Sequence, residues 1–428
     1  MQTKLNTAQE AFLYWKRTPL TTRTASLLQL KTVLQTKREQ LATLITKEMH
    51  KPITQSLAEI DKCTWLCQYY ADNAPQFLTP KTIVTDAHES YITYEPLGTI
   101  LGVMPWNFPF WQVFRFAVPT VMAGNTVVVK HASNVPECAE AIEALFLEAG
   151  FPIGIYQNLH INSNKVAEVI AHPQIKAVSL TGSETAGIAV ATEAGKHLKK
   201  LVLELGGSNA FIVCKDADID KAVSTAVNAR MQNAGQSCIA AKRFLIQDTI
   251  LPIFTEKFKE AVSNLKTGDP MDATTQIGAL ARIDLAEELE KQVQDSVAMG
   301  AKIVLGGKRN GAFYEPTLIT DVTTEMPVFK EETFGPVAAL LSFKTLEEAI
   351  LLSNQSEFGL GVSIFTEDLN TIKSYISQFN EGAVFINEMV KSDPRLPFGG
   401  IKKSGYGREL AEEGIKEFVN IKTVVINP

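Results

Sequence analysis

The sequence predicts an α/β fold in which mostly parallel sheets carry helices on both faces. From residue 97, and again after residue 204, short apolar strands alternate with helical segments. That alternation is typical of βαβ units. The chain has 428 residues, 45% of them hydrophobic, which suits a soluble globular protein of two or three domains with ample core.

The first part of the chain is predicted to be helical as far as about residue 76. Apolar residues recur at helical spacing in residues 26–34 and 41–49. Residues 90–94 then alternate in polarity, as a strand with one solvated face does. The next predicted strands are 98–103, 126–129 and 177–180. The helices predicted among them are near 136–149, 164–171 and 185–197.

A second α/β stretch follows residue 204. Its predicted strands are 210–213, 243–246, 302–305, 337–341, 361–365 and 383–386. Its predicted helices include 285–298 and 346–352. The tail, residues 420–427, has the pattern of a strand, and an edge strand at the chain's end invites pairing with another chain.

Composition excludes several function classes. The chain has 41 Lys and Arg against 47 Asp and Glu, a net charge of −6, so we expect no nucleic-acid partner. Its apolar runs are too short to cross a bilayer, and no signal peptide is apparent, so no membrane partner is expected. Five scattered cysteines indicate a reducing, cytoplasmic compartment. No metal is expected, because Cys63 and Cys67 have no further ligands and suit a buried helix face.

Two glycine-flanked segments are candidates for chemistry. Cys238 ends the segment Asn-Ala-Gly-Gln-Ser-Cys, and Glu204 lies in Leu-Glu-Leu-Gly-Gly. A thiol and a carboxylate in such settings suggest a nucleophile and its base. The thiolate is the attacking form, and at an ordinary pKa only about a few per cent is ionised at neutral pH. Such a site needs help from its surroundings.

Three further segments lie where predicted strands end. Asn107 stands between two prolines, either as a rigid hydrogen-bond donor or as a simple turn former. Lys130 follows an apolar strand, where it would meet a ribose or phosphate or else be solvated. Residues 181–187 pass from a strand into a helix, whose N-terminus can bind phosphate, although such a glycine pattern is also a common turn.

Taken together, these segments resemble the aldehyde dehydrogenase superfamily, and most closely its short succinate-semialdehyde dehydrogenase branch. The resemblance covers essentially the whole chain. The matching segments occur in order, and they are Pro105–Pro109, Lys130, Gly182–Gly187, Glu204–Gly207, Gly235–Cys238, Glu332–Pro336 and Pro397–Gly400.

The resemblance implies the catalytic residues. Cys238 matches the nucleophile that attacks the aldehyde and forms a thiohemiacetal, which becomes a thioester after hydride transfer. Asn107 and the backbone N–H of Cys238 match the oxyanion hole, where losing one donor typically costs about 10²–10³ in turnover. Glu204 matches the general base that activates water for hydrolysis to a carboxylic acid.

The resemblance also implies a nicotinamide cofactor, NADP or NAD. Relatives that prefer NAD often carry a glutamate where Ser133 stands, so the electrostatic barrier against a 2′-phosphate is absent and NADP should be tolerated. Protonated His131 is expected to help hold that phosphate. The matching cofactor residues are Trp106, Lys130, Ser133, Gly182, Ser183, Glu332 and Phe334.

For the substrate, the resemblance points to Arg115 and Ser392. Arg115 is either a clamp for a substrate carboxylate or half of a structural ion pair. A second arginine of many succinate-semialdehyde dehydrogenases is replaced by Gln232, so affinity or specificity is expected to be looser. Ala240 stands where some relatives have a second cysteine, so no redox switch is expected.

The expected reaction is oxidation of succinate semialdehyde to succinate. Glutarate semialdehyde or a broader set of short aldehydes is the alternative, and a catalytically silent binding or structural protein is the alternative from another class. The resemblance implies a Rossmann-like cofactor domain, an α/β catalytic domain and a small β oligomerisation arm that makes a homodimer or homotetramer. The expected bounds are 1–77, 95–203 and 406–417 for the first, 204–405 for the second, and 78–94 with 418–428 for the arm.

Overall fold

Four consecutive helices begin the chain in the computed structural model, which describes all residues from 1 to 428. They are α1 (Gln2–Trp15), α2 (Leu20–Thr36), α3 (Arg38–Met49) and α4 (Ile53–Phe77). The long helix α4 buries Ile60, Cys63, Cys67 and Tyr70, which share one face at helical spacing. Both cysteines are therefore core residues with free thiols, as the sequence predicts.

The first sheet has six strands, of which five are parallel. Along the chain they are β3 (Thr99–Met104), β4 (Thr126–His131), β5 (Tyr156–Asn158), β6 (Ile175–Thr181), β7 (Lys200–Glu204) and the antiparallel β19 (Gly405–Tyr406). The helices of its crossovers are α5 (Trp111–Met122), α6 (Pro136–Glu148), α7 (Val166–Ala171) and α8 (Glu184–Lys196). These strands are largely buried because helices cover both faces of the sheet.

The strand order of this sheet is β19-β7-β6-β3-β4-β5. From β3 the chain first winds outward through β4 and β5, and it then returns to add β6 and β7 on the other side. The direction of winding therefore reverses between β3 and β6. In open α/β sheets, ligands bind in the crevice outside the carboxyl ends of the strands at such a reversal.

The second sheet has seven strands in the order β10-β13-β14-β9-β8-β16-β17. They are β8 (Asn209–Val213), β9 (Ala241–Gln247), β10 (Lys302–Leu305), β13 (Thr317–Thr320), β14 (Val337–Phe343), β16 (Val362–Phe365) and β17 (Val384–Ile386). Only β10 is antiparallel to its neighbour. The helices of this part are α9 (Ile219–Met231), α10 (Leu251–Ser263), α11 (Ile283–Ala298), α12 (Pro327–Lys330), α13 (Leu346–Asn354) and α14 (Leu369–Tyr375).

A third, three-stranded sheet joins β1 (Lys81–Thr82), β2 (Glu89–Pro96) and β20 (Val419–Ile426). Strand β20 pairs along the whole of β2 and is an edge strand. The remaining elements are the pairs β11 (Arg309–Asn310) with β12 (Phe313–Tyr314) and β15 (Phe358–Gly359) with β18 (Ile401–Lys402), and helix α15 (Ala411–Lys416).

The first sheet packs into hydrophobic cores of 46 and 15 buried residues, and the second sheet into a core of 44. The two largest cores, of nearly equal size, leave a crevice between them, which is where ligand sites are common. The domain bounds expected from the sequence stay a prediction. None of the helices combines the length and apolar character needed to span a membrane.

Candidate active site

The carboxyl edge of the first sheet gathers most of the residues that the sequence singled out. Strand β3 ends just before Trp106 and Asn107, β4 ends with Lys130 and His131, and β6 leads into Gly182 and Ser183. Glu204 is the last residue of β7. Because parallel neighbours end at the same edge, side chains that are far apart in the sequence, such as those of Asn107, Ser183 and Glu204, are brought to one edge.

Cys238 comes from a loop between α9 and β9 whose backbone is unusual. Asn233, Ala234 and Gly235 have φ of 54°, 50° and 73°, all in the left-handed region. Such a conformation persists only where the surroundings impose it. The buried Arg230 imposes it here, because its guanidinium donates to the carbonyl oxygens of Gly235, Thr333, Gly335 and Ala241.

The Cys238 thiol lies where two cavities meet, and it lines both of them. Burial raises its pKa to about 11, although the positive charges of Arg115 and Lys242 oppose that shift. Before a substrate is bound, the thiol is therefore protonated at neutral pH. Forming the attacking thiolate requires a group that accepts its proton.

Lys242 holds the backbone of the loop through hydrogen bonds to its carbonyl oxygens. Its buried ammonium group donates to the carbonyl oxygens of Ser237 and Cys238, each at 3.0 Å, and to that of Gly207. It also pairs with the carboxylate of Glu332 at 2.8 Å. The sequence analysis missed this residue. Its one signal is a lysine that immediately precedes the strand predicted at 243–246.

Asn107 is buried beside the nucleophile. Its amide nitrogen donates to the carbonyl oxygen of Gln236 at 3.0 Å, and its own backbone carbonyl accepts from the side chain of Asn233 at 2.8 Å. An amide group has two N–H donors, so one remains available for a substrate oxygen. The position is thus compatible with the oxyanion role expected from the sequence.

Glu204 is only 2% exposed and lines neither cavity. Burial raises its pKa well above the ordinary value, and the charge of Glu409 adds to that effect while Arg115 and Arg408 oppose it. Its Oε1 has no hydrogen-bond partner. Burial therefore favours the neutral carboxyl, and Glu204 has to lose its proton and reorient before it can act on a water beside Cys238.

The larger cavity, of about 710 Å³, opens at the carboxyl edge of the first sheet. Glu332 accepts a hydrogen bond from the backbone N–H of Gly207, and Phe334 packs edge-on against Trp106 with ring centroids 5.7 Å apart. The expected cofactor residues that line the cavity are Trp106, Gly182, Ser183, Glu332 and Phe334.

The lining of this cavity suits the phosphates of a dinucleotide cofactor. Ser183 caps α8 by accepting from the backbone N–H of Ala186, so the N-terminus of a 13-residue helix faces the cavity. At Gly206, which lines the wall, a Cβ atom would collide with the Glu332 carboxylate. Lys130 and Ser133 lie at the end of the neighbouring strand β4, outside the lining residues.

The expected role of His131 is wrong. Its Nε2 is 2.8 Å from the carbonyl oxygen of Pro109, and its Nδ1 accepts from the backbone N–H of Ala132. Burial lowers its pKa to about 4. The ring is therefore neutral and fully engaged in holding the turn after β3, and it offers no charge to a phosphate.

The smaller cavity, of about 480 Å³, extends from the other side of Cys238. Arg115 and Ser392 both line it, as does Gln232. Arg115 forms a buried ion pair with Glu409, and its guanidinium lies 4.4 Å from the ring centroid of Phe398. Arg115 therefore has features of both alternatives. It lines the cavity, as a clamp for a substrate carboxylate would, and it is already half of a structural ion pair.

Ser392 accepts a hydrogen bond from Lys62 at 2.8 Å, within the same cavity. The sequence analysis missed both Lys62 and Glu409. Lys62 stands between Asp61 and Cys63, where no motif draws attention to it. Glu409 follows a glycine-rich segment that resembles a turn. Only the packing of α4 against α5 brings Lys62 to the cavity, and only tertiary packing sets Glu409 against Arg115.

Comparison with known proteins shows close relatives. The model of the aldehyde dehydrogenase family matches residues 1–424. The chain is 50% identical over 426 residues to a probable NADP(+) succinate-semialdehyde dehydrogenase of Synechocystis sp., covering 99% of this chain and 94% of that protein. It is 46% identical over 427 residues to the NAD(P)+ succinate semialdehyde dehydrogenase Sad of Escherichia coli, covering 99% and 92%.

Solved structures agree with these relatives. A structure of Gox0499 superimposes with a TM-score of 0.98 at 42% identity, covering 100% of this chain and 94% of that one. A succinic semialdehyde dehydrogenase from Streptococcus pyogenes, solved in complex with NADP+, superimposes with a TM-score of 0.97 at 39% identity. It covers 100% of this chain and 95% of that one. The α/β fold predicted from the sequence is confirmed.

Proposed function

This chain belongs to the aldehyde dehydrogenase family, and from that premise we propose that it oxidises succinate semialdehyde to succinate. It is an NAD(P)-dependent oxidoreductase. One observation carries the choice of substrate: the cavity on the far side of Cys238 is lined by basic and hydroxyl groups, those of Lys62, Arg115 and Ser392. A distal carboxylate is the partner that such groups bind well.

The first step belongs to Cys238. Its thiolate attacks the aldehyde carbon, a C–S bond forms, and the carbonyl oxygen becomes an oxyanion. The free N–H of the Asn107 amide and the backbone N–H of Cys238 donate to that oxyanion. Because the resting pKa of the thiol is about 11, its proton must leave to a base or to water before the attack.

The second step belongs to Glu204. Once hydride has left the adduct, Cys238 carries a thioester. Glu204 then takes a proton from water, the hydroxide oxygen bonds to the thioester carbon, and the C–S bond breaks to release the carboxylic acid and restore the thiol. The raised pKa makes the Glu204 carboxylate a stronger base than an ordinary one once it has lost its own proton, and the proton that it takes from water then passes to the leaving thiolate.

The cofactor is NADP or NAD, and its nicotinamide ring accepts the hydride when it is bound. Trp106, Glu332 and Phe334 would hold the nicotinamide half, and Gly182 with Ser183 the phosphates. Lys130 and Ser133 would meet the adenosine ribose. We propose that NADP is used at least as well as NAD, because Ser133 carries no charge that repels a 2′-phosphate.

Purified protein tests the proposal directly. Formation of reduced cofactor is followed with succinate semialdehyde, glutarate semialdehyde and pentanal, each with NADP and with NAD. We expect the highest kcat/KM with succinate semialdehyde, and a Cys238→Ser variant is expected to lose at least about a thousandfold in kcat. An enzyme that uses pentanal as well as the acidic aldehydes would instead be a broad aldehyde dehydrogenase.

We further propose that the protein is a cytoplasmic homodimer or homotetramer. The edge strand β20 supports the assembly, because it leaves Ile421 and Val425 exposed on a sheet that projects from the first core. Five free cysteines support a reducing compartment.

A further inference from the structure

Lys62 is a basic residue in an unusual position. It extends from α4 into the smaller cavity, where its ammonium group lies 4.3 Å from the ring centroid of Trp111 and donates to Ser392 at 2.8 Å. It takes part in no ion pair, although the chain has 23 of them. Holding a positive charge away from water without a counter-ion costs desolvation free energy. An anionic ligand at this position would therefore be stabilised by the Lys62 ammonium group.

The other basic residues of the cavity wall are already neutralised. Arg115 pairs with Glu409, and the half-exposed Lys391 pairs with Glu388 at 2.7 Å. Lys51, behind the wall, pairs with Glu59 at 2.6 Å. Lys62 is therefore the one lining cation whose charge has no carboxylate partner in the protein.

We propose that Lys62 binds the distal carboxylate of the substrate, with Ser392 as its neighbouring hydroxyl donor. The inference rests on the proposed function, and it names the residue that selects acidic aldehydes. Lys62 would supply the charge that Gln232 does not, since Gln232 lines the same cavity with a neutral side chain. Arg115, held by Glu409, would shape the cavity and contribute less to the clamp.

The charges around Lys62 make this role sensitive to pH. Burial lowers its pKa to about 8, and the positive charge of Arg115 on α5 adds to that shift. Asp393, in the segment after β17, opposes it, as do Cys63 and Glu59 on the same helix. The ammonium form is present below about pH 8 and is lost as pH rises through that value, so binding of an acidic aldehyde should weaken there.

Three variants test the role of Lys62. Lys62→Met removes the charge with little loss of volume, Lys62→Arg keeps it, and Lys31→Met is the matched control. Lys31, on α2, donates to Gln68 of α4 at 2.7 Å but lines neither cavity. For each protein, kcat/KM is measured with succinate semialdehyde and with pentanal, an uncharged aldehyde of similar length.

We expect Lys62→Met to lower kcat/KM for succinate semialdehyde by about 10- to 100-fold, through KM, because one charge-assisted contact is lost. The value for pentanal should stay within about threefold, and both values should be nearly unchanged in Lys31→Met. Lys62→Arg should recover most of the loss. Equal losses on both aldehydes, or none on the acidic one, would overturn the proposal.

The wild-type protein gives a second readout that does not depend on the variants folding. The ratio of kcat/KM for succinate semialdehyde to that for pentanal should fall as pH rises from about 7 to about 9.5. Ionisation of Cys238 affects both aldehydes and cancels in the ratio. A ratio that favours succinate semialdehyde but stays flat with pH would refute the role of Lys62 alone. A ratio near unity at every pH would refute the proposed substrate instead.

Discussion

At the scale of single residues, burial sets the charges of the site. It raises the pKa of the Cys238 thiol and of the Glu204 carboxyl, and it lowers the pKa of Lys62. Each shift favours the neutral form, because a charge is poorly solvated inside a protein. Without substrate, charges persist mainly where they are paired, as in Lys242 with Glu332. The reactivity of the site is therefore controlled by pH and by the charges that ligands bring.

Glu204 is expected to limit hydrolysis rather than the first step. In Glu204→Gln, rapid mixing should show one burst of reduced cofactor close to the concentration of active sites, followed by turnover slowed about 10²–10⁴-fold. In the wild type, the steady rate should rise with pH through the raised pKa of Glu204, since only the carboxylate accepts a proton from water. The variant should lack that rise. A variant with neither burst nor turnover would place Glu204 in the first step.

Lys242 is expected to hold the nucleophile loop. In Lys242→Met, three carbonyl oxygens lose their donor and Glu332 loses its partner, which should lower the free energy of unfolding by about 2–4 kcal/mol. Urea unfolding measures this loss. Lys302→Met is the control, because Lys302 forms an exposed pair with Asp321, and it should cost less than about 0.5 kcal/mol. A cost for Lys242→Met as small as that of the control would contradict the anchoring role.

At the scale of elements, the loop from Asn233 to Cys238 decides where the thiol points. It leaves α9 through three consecutive left-handed residues and is clamped by Arg230 from one side and Lys242 from the other. Both buried cations thus bind backbone carbonyl oxygens, and only Lys242 also pairs with a carboxylate, that of Glu332. The loop is held by hydrogen bonds to its backbone, which tolerates changes of side chain but not of backbone conformation.

Adding a methyl group at Gly235 should destabilise this loop, whereas removing the methyl group of its neighbour Ala234 should have little effect on stability. Gly235→Ala places a Cβ at a φ of 73° and against the carbonyl of Gly335, which should cost at least about 1–3 kcal/mol and lower kcat. Ala234→Gly removes a Cβ at a φ of 50° and should change the free energy of unfolding by less than about 1 kcal/mol. Thermal unfolding and kcat together test the pair. Similar effects of both variants would show that the loop adapts.

At the scale of the whole molecule, the two largest cores meet at the nucleophile and a third sheet projects from them. The first sheet presents the cofactor cavity and supplies Asn107 and Glu204, and the second supplies Cys238. The proposed mechanism therefore needs residues from both halves. The third sheet takes its strands from residues 81–96 and 419–426, so two segments far apart in the sequence contribute to one small sheet.

The proposed assembly depends on the edge strand of that sheet. A double variant, Ile421→Lys with Val425→Lys, places two charges on exposed apolar positions of β20 and should convert the oligomer to a smaller species. Sedimentation or light scattering measures the mass. Ile153→Lys, at an exposed residue outside this sheet, should leave the mass unchanged. A wild-type protein that sediments as a monomer would refute the proposed assembly.

Local pattern accounts for much of what was predicted. Strands such as 337–341 and helices such as 346–352 follow from runs of apolar residues and their spacing, and the structure extends them by only a few residues. Cys238, Glu204 and Asn107 were singled out because each lies in a short segment that resembles a known family, and their catalytic roles stay predictions. These features depend on residues that are close together in the sequence.

What the sequence determined by itself was the order of the elements, the fold class and the family, because periodicity and short segments are properties of neighbouring residues. The tertiary structure alone decided the state of each charge. It paired Arg115 with Glu409, buried His131 as a neutral ring, placed Glu204 behind the cavities, and left Lys62 without a counter-ion. Those outcomes depend on desolvation and on partners up to several hundred residues away, which only packing brings together.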